Sequence, residues 1–209
     1  MSMLGMTFLD EIVVKSEVTE TSKVMEALRE HVITSLEQSD KSELESVKDG
    51  MDLAMISVDL ETRKIQYSGA YNPLYLVRPL NKQEISVLKK GKELELQRGS
   101  IHDGKNLLIQ VRADQMPIGV SEKNQPYSSH DFMDEDYSIY MFSDGFLDQF
   151  GGPQGKKFMS KNFKKLLLEM QSIPLKKQGA ELEKVLINWM GEISQIDDIL
   201  VMGFKLNPG

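Results

Sequence analysis

Two acidic signals, far apart in the 209-residue chain, are the residues best suited to chemistry. The first is Ser143-Asp144-Gly145, with Asp148 four residues beyond Asp144. The second is Asp197-Asp198. Carboxylates supply both oxygen and charge, which is what Mg²⁺ and Mn²⁺ favour in their ligands. A short apolar run borders each signal: Tyr137 to Phe142 precedes the first, and Ile199 to Phe204 follows the second. If those runs are antiparallel neighbours, the end of one lies beside the start of the other, and the acids converge at one sheet edge. Gly145 permits a tight turn that exposes the preceding carboxylate. A helical turn after Gly145 would put Asp144 and Asp148 on one face. In an extended strand Asp198 points away from Asp197, so one of that pair serves as the primary ligand. A plain alternative stands beside this reading. Asp-Gly is a common turn dipeptide, and adjacent aspartates often cap or solvate a strand end.

No other constellation competes. His31, His102 and His130 have no visible Ser or Asp partners, and His31, on a helix just after Arg29 and Glu30, reads as exposed. HExxH, P-loop and GxGxxG motifs are missing. The absence of cysteine excludes disulfides, thiolate metal sites and cysteine nucleophiles. It fits a reducing compartment, and a cytoplasmic location is expected. A net charge of −7 argues against a nucleic-acid partner. The basic pairs, among them Lys156-Lys157, are scattered and read as solvated faces. The 13 methionines read as core filling, with an adaptable partner surface as the alternative. No run approaches the roughly 18–20 apolar residues of a membrane span, and no secretory leader opens the chain.

The elements that would position the acids follow from hydrophobic period. Leu4, Phe8 and Ile12, with Leu9 and Val13 beside them, predict a first helix; Val24, Leu28, Val32 and Leu36 predict a second, joined as a helical hairpin. The charged stretch from Ser39 to Gly50 reads as a loop. The period then changes to two. Ala54, Ile56, Val58 and Leu60 share one face of a strand, with Leu53 and Met55 on the other. A turn at Asp59 to Arg63 leads into a return strand, Lys64 to Ser68, with Ile65 and Tyr67 on one face; strand resumes at Tyr75 to Arg78. Short strands are expected around Glu84–Leu88, Glu93–Gln97 and Leu107–Val111, within a variable insertion over 79–114. Pro117-Ile118-Gly119 reads as a turn before a strand near Gln125 to Asp131. Helices are expected around Phe163 to Met170 and Leu182 to Trp189, with Gly191 at C′. A final strand is expected over about Ile199 to Lys205. The class is α+β, a single domain over 1–209 with antiparallel sheets covered by helix pairs.

Several segments, in this order and spacing, resemble the bacterial SpoIIE-type serine phosphatases of the metal-dependent PPM (type-2C-like) group. They are Met3-Leu4-Gly5, Asp52-Leu53-Ala54-Met55, Ser68-Gly69-Ala70-Tyr71-Asn72-Pro73-Leu74-Tyr75 and Met116-Pro117-Ile118-Gly119. Tyr140 to Gln149 and Gln195 to Val201 complete the set. The resemblance covers nearly the whole chain and is weakest over 79–114. It implies an αββα sandwich and hydrolysis of phosphoserine or phosphothreonine in a protein, by hydroxide attack at a centre of two Mn²⁺ or Mg²⁺ ions. It implies Asp144 and Asp197 as metal ligands and principal catalytic residues, with Asp148 able to help hold a further metal and Asp198 beside them. It implies a hydrolase in bacterial signal transduction and sigma-factor regulation, its substrate a phosphorylated anti-sigma-factor antagonist. Family members also carry a Gly-Asp-rich first metal motif before the first helix. This chain starts at Met1, after the place of that motif, so the domain is expected to be N-terminally truncated and impaired by itself. A late gene start and a fragment of a longer regulator fit equally. The alternative function is a catalytically silent regulatory module, a homodimer built on the N-terminal helix pair.

Overall fold

The computed structural model describes residues 2–39, 50–123 and 125–206. The loop expected over 40–49 lies outside the described residues. In chain order the helices are α1 (Ser2–Leu9), continued by a π-helical stretch Asp10–Lys15, α2 (Thr21–Ser39), α3 (Lys82–Lys89), α4 (Gly145–Asp148), α5 (Ser160–Glu169) and α6 (Leu175–Met190). The first six strands are β1 (Gly50–Met51), β2 (Leu53–Val58), β3 (Lys64–Ala70), β4 (Leu74–Pro79), β5 (Ile101–His102) and β6 (Asn106–Val111). The rest are β7 (Ile118–Gly119), β8 (His130–Met133), β9 (Ser138–Phe142), β10 (Phe150–Gly151), β11 (Lys156–Lys157) and β12 (Val201–Phe204). This is the expected α+β class with antiparallel sheets. Two compact units carry it: residues 1–73 with 112–134, and residues 74–111 with 135–209.

In the first unit a three-stranded antiparallel sheet, ordered β2-β3-β8, meets α2. The β2–β3 hairpin forms where expected because Asp59 holds the turn: its Oδ1 accepts the N–H groups of Glu61 (2.9 Å) and Thr62 (3.0 Å). Gln66 of β3 accepts the Thr21 N–H at 2.7 Å, so a strand side chain satisfies one orphan donor at the start of α2. Val24, Met25, Leu28 and Val32 of α2 form the core with Ile12, Met116, Ile118 and Tyr127. Leu53 and Met55, not the Ala54-Ile56-Val58 face, pack against that core, and Leu60 is exposed in the turn. The first helix changes winding at Asp10; Ile12 stays buried while Val13 turns out to solvent. His31 is half-buried rather than exposed, its ring 5.1 Å from that of Phe8. The segment read as a turn at Pro117 to Gly119 is instead strand β7, paired with β1 through Met51 opposite Ile118. The strand expected from Gln125 begins only at His130, because Tyr127 is drawn to α2: its N–H donates to Glu26 Oε1 (2.7 Å) and Arg29 lies over its ring.

In the second unit a five-stranded antiparallel sheet has the order β12-β9-β4-β6-β5. Its aromatic core joins Tyr75, Tyr140, Phe142, Phe146, Phe158 and Phe163. The strand expected at Glu84–Leu88 is helix α3. Asn81 and Glu84 form a reciprocal capping box, and Glu84 also receives two 2.9 Å hydrogen bonds from the Arg78 guanidinium. Glu93–Gln97 is irregular rather than strand. α6 carries the expected stripe, and Gly191, at φ +54, ends it as expected. Among the described residues no helix is long and apolar enough to cross a membrane.

Candidate functional site

Strand pairing in the second unit decides where the acids go. β9 and β12 are antiparallel neighbours, with Phe142 opposite Val201. The end of β9 therefore lies beside the start of β12, and the two acidic signals meet at that edge. Asp197 and Asp198 precede β12 in an irregular segment rather than lying in an extended strand, and the strand itself runs only from Val201 to Phe204.

Ser143 fastens the two segments together. Its N–H donates to Leu200 O (3.0 Å), its hydroxyl donates to Asp198 O (2.8 Å), and the same hydroxyl accepts the Leu200 N–H (2.9 Å). Gly145 lets the segments approach: a Cβ there would stand 2.4 Å from Asp198 O. The Asp144 carbonyl then accepts the N–H groups of Leu147 (2.8 Å) and Asp148 (2.9 Å), which winds the single turn α4 and brings Asp148 round beside Asp144. Buried Gln149 holds the Asp197 segment from below, its Nε2 donating to Ser194 O at 3.0 Å. The Trp189 indole in turn donates to Gln149 O at 3.0 Å.

Each acid has a distinct environment. Asp144 is exposed and makes no capping hydrogen bond with its side chain. Its pKa is raised above the ordinary aspartate value, first by partial loss of water, then by the negative charge of Asp197, then by that of Asp148; the Lys157 ammonium opposes the rise. The three carboxylates thus share one field. Asp197 accepts the Asp198 N–H on Oδ1 at 2.7 Å. Asp148 is half-buried and accepts a 2.7 Å hydrogen bond from Lys157 Nζ. Asp198 contributes its carbonyl to the Ser143 clamp.

This donor set fits a hard divalent cation in chemistry: exposed carboxylate oxygens repel one another and no thiolate or imidazole competes. Among the described residues, no three acidic or imidazole side chains converge closely enough to hold a metal by themselves. Mg²⁺ is commonly bound through one or two carboxylates, with water and substrate oxygens completing the shell. Asp144 and Asp197, brought near each other by the β9–β12 pairing, could serve that way. Sequence reasoning missed Ser143 as the clamp, Gln149 as the support and Lys157 as the partner of Asp148. The glycines at 151, 152 and 155, between Asp148 and Lys157, are the signal of a tight hairpin that returns the lysine to the acid.

Compared by sequence, the chain matches no protein-family model and no curated protein. Solved structures do match. The SiaA-PP2C domain of Pseudomonas aeruginosa superposes with a TM-score of 0.71 at 21% identity, over 97% of this chain and 68% of that one. The RsbU and RsbW domains of a Mycobacterium tuberculosis protein give 0.58 at 14% identity, over 94% of this chain and 44% of that one. A bacterial serine phosphatase gives 0.56 at 11% identity, over 96% and 77%. The chain spans about two thirds of the first structure and less than half of the second. It has the fold of these bacterial PPM-type phosphatase domains.

Proposed function

We propose that this chain is the phosphatase domain of a bacterial signalling regulator and that its reaction is hydrolysis of a phosphoserine or phosphothreonine monoester in a protein. One observation carries the reading: the β9–β12 pairing and the Ser143 clamp bring Asp144 into the field of Asp197 on a fold shared with phosphatase domains. Asp144 and Asp197 are the residues to hold Mn²⁺ or Mg²⁺, with Asp148 next to them. Bound divalent ions supply positive charge that lowers the pKa of water and steadies the oxygens of an in-line displacement at phosphorus.

The chain's own groups do the rest. Ser143 fixes the Asp197 segment against the end of β9, so the acids keep their spacing. Gly145 keeps the floor of the site free of a side chain. Lys157 balances Asp148, which limits repulsion between the acids and an incoming phosphate dianion. A small phosphorylated regulatory protein, such as an anti-sigma-factor antagonist, in the cytoplasm completes the proposal.

The test compares phosphate release from a phosphoserine peptide with Mn²⁺ by the wild-type chain, Asp144→Asn and Asp197→Asn. Each variant is expected to lose at least about 100-fold in kcat/KM. Equal activity in wild type and variants would sink the assignment. Saturable Mn²⁺ binding without turnover would favour the silent regulatory module instead.

A further inference from the structure

We propose that the groove beside Asp148 is a docking subsite for the substrate segment flanking the phosphoserine, and that it takes an acidic residue next to an apolar one. This deepens the phosphatase reading and rests on it for the identity of the bound segment.

The groove has a volume of about 670 Å³ and is lined by Phe150, Lys156, Lys157, Met159, Asn162 and Trp189 together with the hairpin loop. That size is ordinary for a ligand cleft. It adjoins the acidic site through Lys157, which lines it and meets Asp148 at 2.7 Å. The part of a substrate that falls on this side of the acids is the segment flanking the phosphoserine.

The groove is built rather than incidental. Trp189 forms part of its wall, fixed by an edge-on contact with Phe158 at 5.1 Å and by the Gln149 carbonyl. The hairpin lies directly on that tryptophan: a Cβ on Gly151 would stand 1.9 Å from Trp189 O, and one on Gly152 2.6 Å from the indole ring. Met159 has φ +71, a backbone conformation costly for a residue with a Cβ, yet its side chain is 56% exposed and covers no core. Phe150 is also exposed at the rim.

Charge selects the occupant. The chain carries a net −7, but no carboxylate lines this groove and two lysines do. With Lys157 held by Asp148, Lys156 beside the apolar walls complements a segment with an apolar side chain and a glutamate or aspartate. They disfavour a basic flank.

Two fluorescein-labelled phosphoserine peptides test this by anisotropy, identical except that one carries Leu-Glu after the phosphoserine and the other Leu-Lys. Wild-type chain is expected to bind the glutamate peptide about tenfold more tightly. Lys156→Glu should invert the preference, and Met159→Ala should weaken both peptides about fivefold. Equal binding of the two peptides, or an unchanged preference in Lys156→Glu, overturns the proposal. Mn²⁺-dependent hydrolysis of p-nitrophenyl phosphate, too small to use the groove, is read in parallel and should be unchanged by Lys156→Glu. A retained peptide preference without hydrolysis by wild type leaves the groove standing and favours the silent regulatory module over the phosphatase reading.

Discussion

Ser143 donates one hydrogen bond to the Asp198 carbonyl and accepts another from the Leu200 N–H with a single hydroxyl. Its removal leaves the fold intact and loosens the acids. Ser143→Ala is expected to cost about 1 kcal/mol in a denaturant melt and about 10- to 100-fold in Mn²⁺ affinity by calorimetry. A variant that binds Mn²⁺ like wild type would show that the clamp does not set the site. Gly145→Ala acts on the same join by steric means, since the added Cβ meets a backbone oxygen that cannot swing aside. It is expected to reduce Mn²⁺ affinity more than Ser143→Ala does while the far-ultraviolet circular dichroism stays unchanged. That the two acidic segments meet at one sheet edge was legible in the sequence, because each borders an apolar run that forms a strand of one antiparallel pair. Ser143, Gln149 and Lys157 were not, because their roles depend on backbone oxygens and a carboxylate brought near only by folding.

At the scale of elements, the strands that reach the site were readable, and helix α3 was not. β9 has a continuous apolar run that ends at a turn signal, and β2 and β3 alternate around Asp59. α3 is only eight residues long and buries none of them, so its stripe is a single pair, Ile85 and Leu88, and the alternation of Ile85 with Val87 imitated a strand. Its capping box from Asn81 to Glu84 was the signal to follow. The two-residue strands β10 and β11 are too short to leave a period. The α3 cap also carries a pH dependence. Hydrogen bonds from Arg78, together with the Asn81 backbone, hold the Glu84 carboxyl below the ordinary glutamate range. A carboxylate so lowered adds stability above its unfolded pKa and loses it as pH falls through the folded value. Glu84→Gln is therefore expected to cost about 1–3 kcal/mol near neutrality. The deficit should shrink as pH falls through the lowered folded-state value, where wild-type Glu84 itself becomes protonated. Parallel thermal melts across pH check this, and a deficit independent of pH would mean the charge is not what matters.

For the molecule as a whole, negative charge and the acidic edge work in one direction. A chain of net −7 sets Asp144 in the negative field of Asp197 and Asp148 at one strand end, and a divalent cation there relieves that repulsion only in the folded state. Mn²⁺ should then raise the melting temperature in a concentration-dependent way, with about 2.7 kcal/mol gained at a hundred times Kd. Asp144→Asn should melt at the same temperature with and without it. An equal shift in both proteins would place the cation elsewhere.

The β9–β12 pair also fixes an order of events in time. β9 leaves the ribosome before α5 and α6, and β12 only after them. Until residues 197–204 emerge, Asp144 has only Asp148 beside it, and the Ser143 hydroxyl has no Asp198 carbonyl or Leu200 N–H to hold. A nascent chain stalled after α6 would carry its acidic edge half-built. The edge would be completed in one step, with the synthesis of the strand that closes it.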